Sequence, residues 1–338
     1  MADKLSGFDC GGPAVVVTRG ALVESEHCVC FAVADVHGHV IESRGDIDRL
    51  VYLRSSAKPL IATAVVASGA ADHFGFSPKE IALAAASHSG EPEHVETALR
   101  MLRACGLDEA ALQCGAHAPV HEPSAEALAA TGQRPRAIHN NCSGKHAGIL
   151  ALAVHRGADP SGYLAPDHPA QVEILDVSAE LLGVPRESLS IGVDGCGIPV
   201  IAAPLRVVAT FFARMSEPER FFPRLALSLR RVTSAMTEHP YMIAGTNRFD
   251  TELMRVAQGD VAAKGGAEGY HASAALRRGL GMTAKVADGN YRAIAPVVIN
   301  RWSALGVLDQ QMVDALAAYA TPALRNHAGR VIGEIKVL

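Results

Sequence analysis

Residues 54–66 read Arg54-Ser55-Ser56-Ala57-Lys58-Pro59-Leu60-Ile61-Ala62-Thr63-Ala64-Val65-Val66, and here the apolar pattern changes from strand-like to helical. Upstream, short β-branched runs alternate with turn signals: Val15-Val16-Val17-Thr18, then Cys28 to Val33, then Val40-Ile41 after Asp35-Val36-His37-Gly38. These predict a small antiparallel meander. Leu60 to Val66 is apolar on every side, the pattern of a helix buried within a domain, and Ala147 to Val154 repeats it.

From about 55 to 240 the pattern stays mostly helical, with proline in first turns, as in Glu91-Pro92-Glu93 and Asp167-His168-Pro169. After Pro92, the spacing of Val95, Leu99 and Leu102 predicts a core-facing stripe, and capping is expected from Ser89 or Gly90. Strand signals return at Val261 to Lys264 and Met282 to Val286. A helix over Tyr291–Leu305, another around Gln310–Ala320 and a last strand over Val331–Val337 follow. Strands at both ends around a helical middle predict an α/β fold in three layers, its mainly antiparallel sheet assembled from both termini. A sheet-containing lobe is expected over about 10–54 and 258–338, with a helical lobe over about 55–257.

Composition narrows the function. The chain has 338 residues, 49% of them hydrophobic, enough for a large core in a single globular unit. Net charge is −4 and no basic, aromatic-interleaved block occurs, so nucleic acid is not an expected partner. The start Met1-Ala2-Asp3-Lys4-Leu5 lacks signal-peptide features, and no apolar run reaches the roughly 20 residues of a membrane span. The expected location is cytoplasmic, away from membranes. The seven cysteines (10, 28, 30, 105, 114, 142, 196) follow no secreted-domain spacing and are expected as thiols. Cys28 and Cys30 are two apart in an expected strand, and so are read as buried on one face.

Three polar clusters interrupt the apolar pattern. In the first, Ser55 and Lys58 stand at i and i+3, so both side chains reach one face of a turn. A lysine buried at the head of an apolar helix loses basicity and becomes able to deprotonate a serine hydroxyl. Pro59 biases Lys58 away from the helical region, and a helix cap beside a surface lysine is the plainer alternative. The second cluster is Ser87-His88-Ser89-Gly90-Glu91, where capping leaves Ser87 and His88 unaccounted for. The third is Asn140-Asn141-Cys142-Ser143-Gly144-Lys145-His146, in which Cys142 and Lys145 repeat the i, i+3 spacing; the order of a P-loop is absent. Gly192-Val193-Asp194-Gly195-Cys196-Gly197-Ile198-Pro199 forms a glycine-rich turn, and Lys264-Gly265-Gly266 ends a strand-like run, with a hairpin turn as its plain reading. Cys142, Cys196 and Asp194 are able to bind zinc, though their separation matches no local finger pattern.

Taken in order, Ser55-x-x-Lys58, Ser87-His88-Ser89-Gly90-Glu91, Asn141 to His146, Asp194 to Pro199 and Lys264-Gly265-Gly266 resemble the rhizobial-type, or class 3, L-asparaginases. The resemblance implies a serine β-lactamase-like, glutaminase-like fold and two serine–lysine tandems, Ser55 with Lys58 and Ser87 with Lys264. It also implies a zinc ion held by Cys142, Lys145 and Cys196 with Asp194 near, and a homodimer. An amino-acid substrate such as L-asparagine brings a carboxylate and an ammonium that need partners. Arg54 and Asp194 are the candidates, with His88 and Asn141 as further substrate contacts. Two other readings fit the same clusters: a glutaminase or penicillin-recognising amidohydrolase, or a non-catalytic cytosolic zinc or thiol sensor.

Overall fold

A computed structural model describes residues 7–338; the charged start Met1 to Leu5 lies outside the described residues. The chain forms two compact units. One holds the residues up to Val51, Ala203–Ser216 and the chain from Val256 on; the other holds Tyr52–Ala202 and Glu217–Arg255.

The first unit is built on antiparallel sheets, and both draw on the two ends of the chain. A four-stranded sheet places Val15–Arg19 between Val331–Val337 and Leu22–His27, with Ala323–Arg325 at its edge. A five-stranded sheet runs in the order Val40–Arg44, Val29–Asp35, Leu280–Val286, Tyr270–Ala275, Val261–Gly266. Register fixes its faces. A side chain at Gly281 would come within 3.0 Å of Phe212 and closer still to Ala209 and Ala213, so the helix Leu205–Arg214 lies directly on that face. Ser273 pairs opposite Met282, one residue on, and therefore points the other way. There its hydroxyl accepts a 3.0 Å bond from the indole of Trp302, on the helix Ile294–Ala304. Helix, sheet and helix make the expected three layers, and the expected mixed α/β fold is the one observed.

Details depart from the sequence reading. Leu205–Arg214 lies within the span expected for the helical lobe, yet its buried Leu205, Val208, Phe211 and Phe212 cover the sheet. Cys28 falls between strands and is only half-buried, while Cys30 is fully buried. Several strands are not legible in the pattern, among them Leu22–His27, mostly exposed and polar, Tyr270–Ala275, alanine-rich and buried on both faces, and the short Leu50–Tyr52 and Ala323–Arg325. The expected helix over Gln310–Ala320 is two short helices meeting at Leu316.

The second unit is helical. Lys58–Ala67 is buried along nine of its ten residues, Lys58 to Val66, and packs against Ser143–His155, Pro169–Leu182 and Ala226–Glu238. The helix Pro92–Ala104 buries His94, Thr97, Ala98, Met101 and Leu102, a stripe rotated by one position from the expected Val95 and Leu99. Among its buried polar members, His94 bonds the distant Tyr241 carbonyl at 3.0 Å. Its N-cap is Glu91, whose N–H donates to His94 Nδ1, while the Ser89 hydroxyl bonds the Ala244 carbonyl instead.

Gly144 shows why the helix after Cys142 opens on glycine. A Cβ there would sit 2.6 Å from the Leu83 carbonyl oxygen, backbone that cannot step aside. Gly144→Ala is expected to destabilise this unit by about 2 kcal/mol through overpacking, read as a lower urea midpoint with an unchanged slope.

Candidate active site

The turn Arg54–Ala57 is a short 3₁₀ segment that runs straight into the helix beginning at Lys58. Lys58 adopts an ordinary helical conformation (φ −64°, ψ −32°) despite Pro59, contrary to the expected bias. Proline sits in the first turn, where its missing N–H costs no helical bond. The irregularity falls instead on Arg54, a non-glycine residue at φ 49°, and such outliers cluster where function constrains the backbone. The Leu53 N–H bonds the Ile201 carbonyl at 3.0 Å, fixing this turn beside the hairpin Ser190–Val193/Pro199–Pro204.

Lys58 is 1% exposed. Its Nζ donates to the Ala86 carbonyl at 2.5 Å and to the Ser87 hydroxyl at 2.8 Å. Burial lowers its basicity, aided by the neighbouring Lys145 charge and opposed by Cys142 and Cys196. The structure thus places the depressed lysine on Ser87, with Ser55 one turn before it along the chain.

The Ser87 turn is pinned on both sides. The Ser87 N–H bonds the Ile243 carbonyl and the His88 N–H bonds that of Asn141. His88 is fully buried, and burial holds its pKa well below the usual histidine value. Its Nδ1 accepts from the Gly90 N–H, which leaves Nε2 as the donor to the Ser143 hydroxyl at 2.9 Å. Both ring nitrogens are spent within the protein, so His88 ties the Ser87 turn to the Cys142 helix rather than facing a substrate. Asn141 bonds through its backbone here, its N–H to His117 Nε2 at 2.9 Å.

Cys142, Lys145 and Cys196 come together in one buried cluster. Lys145 Nζ donates to Cys196 Sγ at 2.8 Å, and Cys196 lies 3.6 Å from Asp194 Oδ2. A hydrogen bond between Cys196 and Cys142 pushes the Cys142 thiol well down, with Lys145 and Lys58 reinforcing it, and pushes Cys196 up. The two thiols therefore titrate as a pair, with the negative charge favoured on Cys142. Burial disfavours the Lys145 charge, but the two sulfurs and Asp194 together hold it above the usual lysine value. Asp194 is half-buried, which alone would raise its pKa; Lys145 and a 2.7 Å bond from Arg54 Nε bring it below the ordinary value. Gly197, at φ 90° and with a Cβ position 3.0 Å from Leu164, shapes the turn carrying Asp194 and Cys196.

Arg54, Ser55, Lys58, Lys145 and Asp194 line one cavity of about 20 Å³, water-sized. Its far wall is Gln171, Ile174, Leu175 and Ser178 of the helix Pro169–Leu182. Motif spacing alone does not single these four out. Their signal was two polar residues, Gln171 and Ser178, on the buried stripe of that helix. Lys264 lies in the other unit, 1% exposed in the strand Val261–Gly266, and its Nζ donates to the Gly265 carbonyl at 2.6 Å. Lys264-Gly265-Gly266 does form one arm of a hairpin, paired with Tyr270–Ala275.

Among the described residues no group of three or more His, Cys, Asp or Glu side chains is arranged to hold a metal ion. A metal at this site needs Lys145 as a neutral ligand. The charges fit: a divalent ion displacing the Lys145 proton and one cysteine proton leaves the buried charge unchanged. Two thiolates and a nitrogen are a donor set zinc accepts.

A buried, weakly basic lysine hydrogen-bonded to a serine is the apparatus of a hydrolase that cleaves acyl bonds. The family model of L-asparaginase II matches residues 15–337, and the chain belongs to that family, the rhizobial type its motifs resemble. It is an amidohydrolase. No curated protein matches the chain by sequence. Among solved structures, one named Mglu is 16% identical with a TM-score of 0.38, over 82% of this chain and 67% of that one. Its glutamate form is 14% identical with a TM-score of 0.39, over 82% and 61%. A β-lactamase from Mycobacterium bovis is 14% identical with a TM-score of 0.40, over 86% and 95%. The chain spans about two thirds of the length of these Mglu structures. Among the described residues no helix is long and apolar enough to cross a membrane.

Proposed function

We propose that the protein hydrolyses the side-chain amide of L-asparagine to L-aspartate and ammonia, with Lys58 as general base. The observation that carries this reading is the buried Lys58 ammonium nitrogen, 2.8 Å from a serine hydroxyl and backed by the Arg54–Asp194 pair. Ser55 is the nucleophile in this proposal because it, and not Ser87, lines the cavity with that pair. Its oxygen bonds to the amide carbon as neutral Lys58 takes the hydroxyl proton. The nitrogen leaves as ammonia with that proton, leaving a β-aspartyl ester on Ser55. Water then adds to the ester, gives its proton to Lys58, and aspartate departs as the proton returns to Ser55.

A free amino acid suits the Arg54–Asp194 pair. Its carboxylate replaces Asp194 at the guanidinium, and its ammonium replaces Arg54 at the carboxylate, so each half-buried charge exchanges one partner for another. In the same reading Lys264 serves Ser87 in proton transfer, and the protein works as a homodimer. Zinc held by Cys142, Lys145 and Cys196 would fix the position of the cluster's positive centre and so orient the substrate head. Elemental analysis of protein purified without added zinc is expected to return about one zinc per chain; active, folded protein with far less would remove zinc from the proposal.

The deciding assay is ammonia release from asparagine and glutamine side by side. Faster turnover of asparagine supports the reading. Preference for glutamine makes the enzyme a glutaminase, and ammonia from neither, with zinc still bound, leaves a thiol-based metal sensor.

A further inference from the structure

We propose that Cys10 and Cys30 form a thiol pair that a disulfide-type oxidant converts reversibly to an intramolecular disulfide, a covalent modification site in the sheet unit. The two sulfurs are 3.0 Å apart, and both residues are buried. They come from segments that sequence spacing does not pair: Cys30 from the central strand Val29–Asp35, Cys10 from the irregular chain before the first strand.

Several contacts bring the Cys10 segment down onto the sheet. Arg44 donates to the carbonyls of Gly11, Gly12 and Pro13, the last at 2.8 Å. The Asp46 N–H bonds the Asp9 carbonyl at 2.9 Å, and the Arg49 guanidinium stacks 4.6 Å from the Phe8 ring. Gly45, at φ 72°, is required beneath the pair, since a Cβ there would meet Cys30 Sγ at 2.6 Å and Cys10 Cα at 2.9 Å.

Reactivity follows from the difference between the two positions. Burial pushes the Cys10 thiol up to about 12 and raises Cys30 as well, so the closed pair is inert. Cys10, however, is a single buried residue among exposed Asp9, Gly11 and Gly12. Lifting it breaks a few surface hydrogen bonds, a local opening far smaller than unfolding the strand that holds Cys30. In the opened segment the Cys10 thiolate attacks a low-molecular-weight disulfide, RSSR, forming a mixed disulfide and expelling one RS⁻. When the segment closes again, the Cys30 thiol gives up its proton and attacks the Cys10 sulfur, expelling the second RS⁻. Two protein thiols and one RSSR become one protein disulfide and two RSH, with both electrons passing to the oxidant. A dithiol reductant reverses the sequence. Cys105 and Cys114 bond only to backbone carbonyls and have no such partner sulfur in the structure's hydrogen bonds.

The test uses the full-length wild-type chain. It is incubated with glutathione disulfide, quenched with N-ethylmaleimide in denaturant, digested and mapped by mass spectrometry without reduction. The expected product is a Cys10–Cys30 linked peptide pair, about 2 Da below the sum of the reduced peptides, that dithiothreitol abolishes. Amide exchange over residues 9–12 of the oxidised protein is expected to slow about tenfold or more. Cys10→Ala should leave Cys30 unlinked, while the mapping of wild-type protein does not depend on that variant folding. A Cys10–glutathione adduct that never resolves, a Cys10–Cys28 link, or a link confined to Cys142 and Cys196 would each overturn the proposal.

Discussion

Replacing Lys58 by methionine is expected to lower kcat for amide hydrolysis by about 10³-fold, the usual range for loss of a general base. Methionine fills the buried slot without a charge and leaves the Ala86 carbonyl and Ser87 hydroxyl without their donor. Lys58→Arg separates chemistry from charge, because a guanidinium keeps the cation and hydrogen-bonding capacity but does not deprotonate in the accessible range. Both variants are expected to lose activity to about this extent. The wild-type pH profile carries the second half of the prediction. The catalytic form of Lys58 is the neutral amine, and burial lowers its pKa from 10.5. The proton is therefore lost at a lower pH than from a free lysine, and kcat/KM should rise with pH and level off before 10.5. That rising limb should vanish in Lys58→Arg. A limb retained in the arginine variant's residual activity would assign the titration to another group.

The sequence made the architecture legible where apolar pattern and turn chemistry agreed. Val15–Arg19, Leu280–Val286 and Val331–Val337 are β-branched or bounded by turn residues, and pattern alone places strands there. Tyr270–Ala275 was not legible, because four residues of Ala and Ser in six carry little strand preference; burial between two neighbouring strands decides it. The rotated stripe of Pro92–Ala104 has the same origin. His94 looks like a surface residue until its partner is known, and that partner, the Tyr241 carbonyl, lies more than a hundred residues away. In the site, the spacing of Ser55 and Lys58 or of Cys142 and Lys145 identified groups able to share a face. It did not give which serine the Lys58 nitrogen meets, nor that Cys196 reaches Lys145 from a turn fifty-one positions later. It also suggested His88 as a substrate contact. Only the tertiary arrangement shows both imidazole nitrogens already taken, one by Gly90 and one by Ser143.

The two serines give the sharpest test of the mechanism, because the structure and the motif weight them differently. Lys58 bonds Ser87, whereas Ser55 lines the cavity with Arg54 and Asp194. If Ser55 is the nucleophile, Ser55→Ala removes the atom that forms the ester, and kcat should fall by about 10⁴-fold or more with no acyl-enzyme trapped on rapid acid quench. Ser87→Ala then removes an acceptor that aims the Lys58 nitrogen. A misaimed base costs about 10²-fold, the acyl-enzyme should still form on Ser55, and the loss should fall on kcat more than on KM. Reversal of the two phenotypes, with label recovered on Ser87 in the Ser55→Ala protein, would make Ser87 the nucleophile and Lys58 its direct base. The two single variants also separate a shared role from a divided one. Independent roles predict that the double variant loses roughly the product of the two single effects, while a single coupled unit predicts that the double variant is no worse than Ser55→Ala alone. With Ser87 acting only through the orientation of Lys58, the second result is expected, since a base has nothing left to activate once the Ser55 hydroxyl is gone.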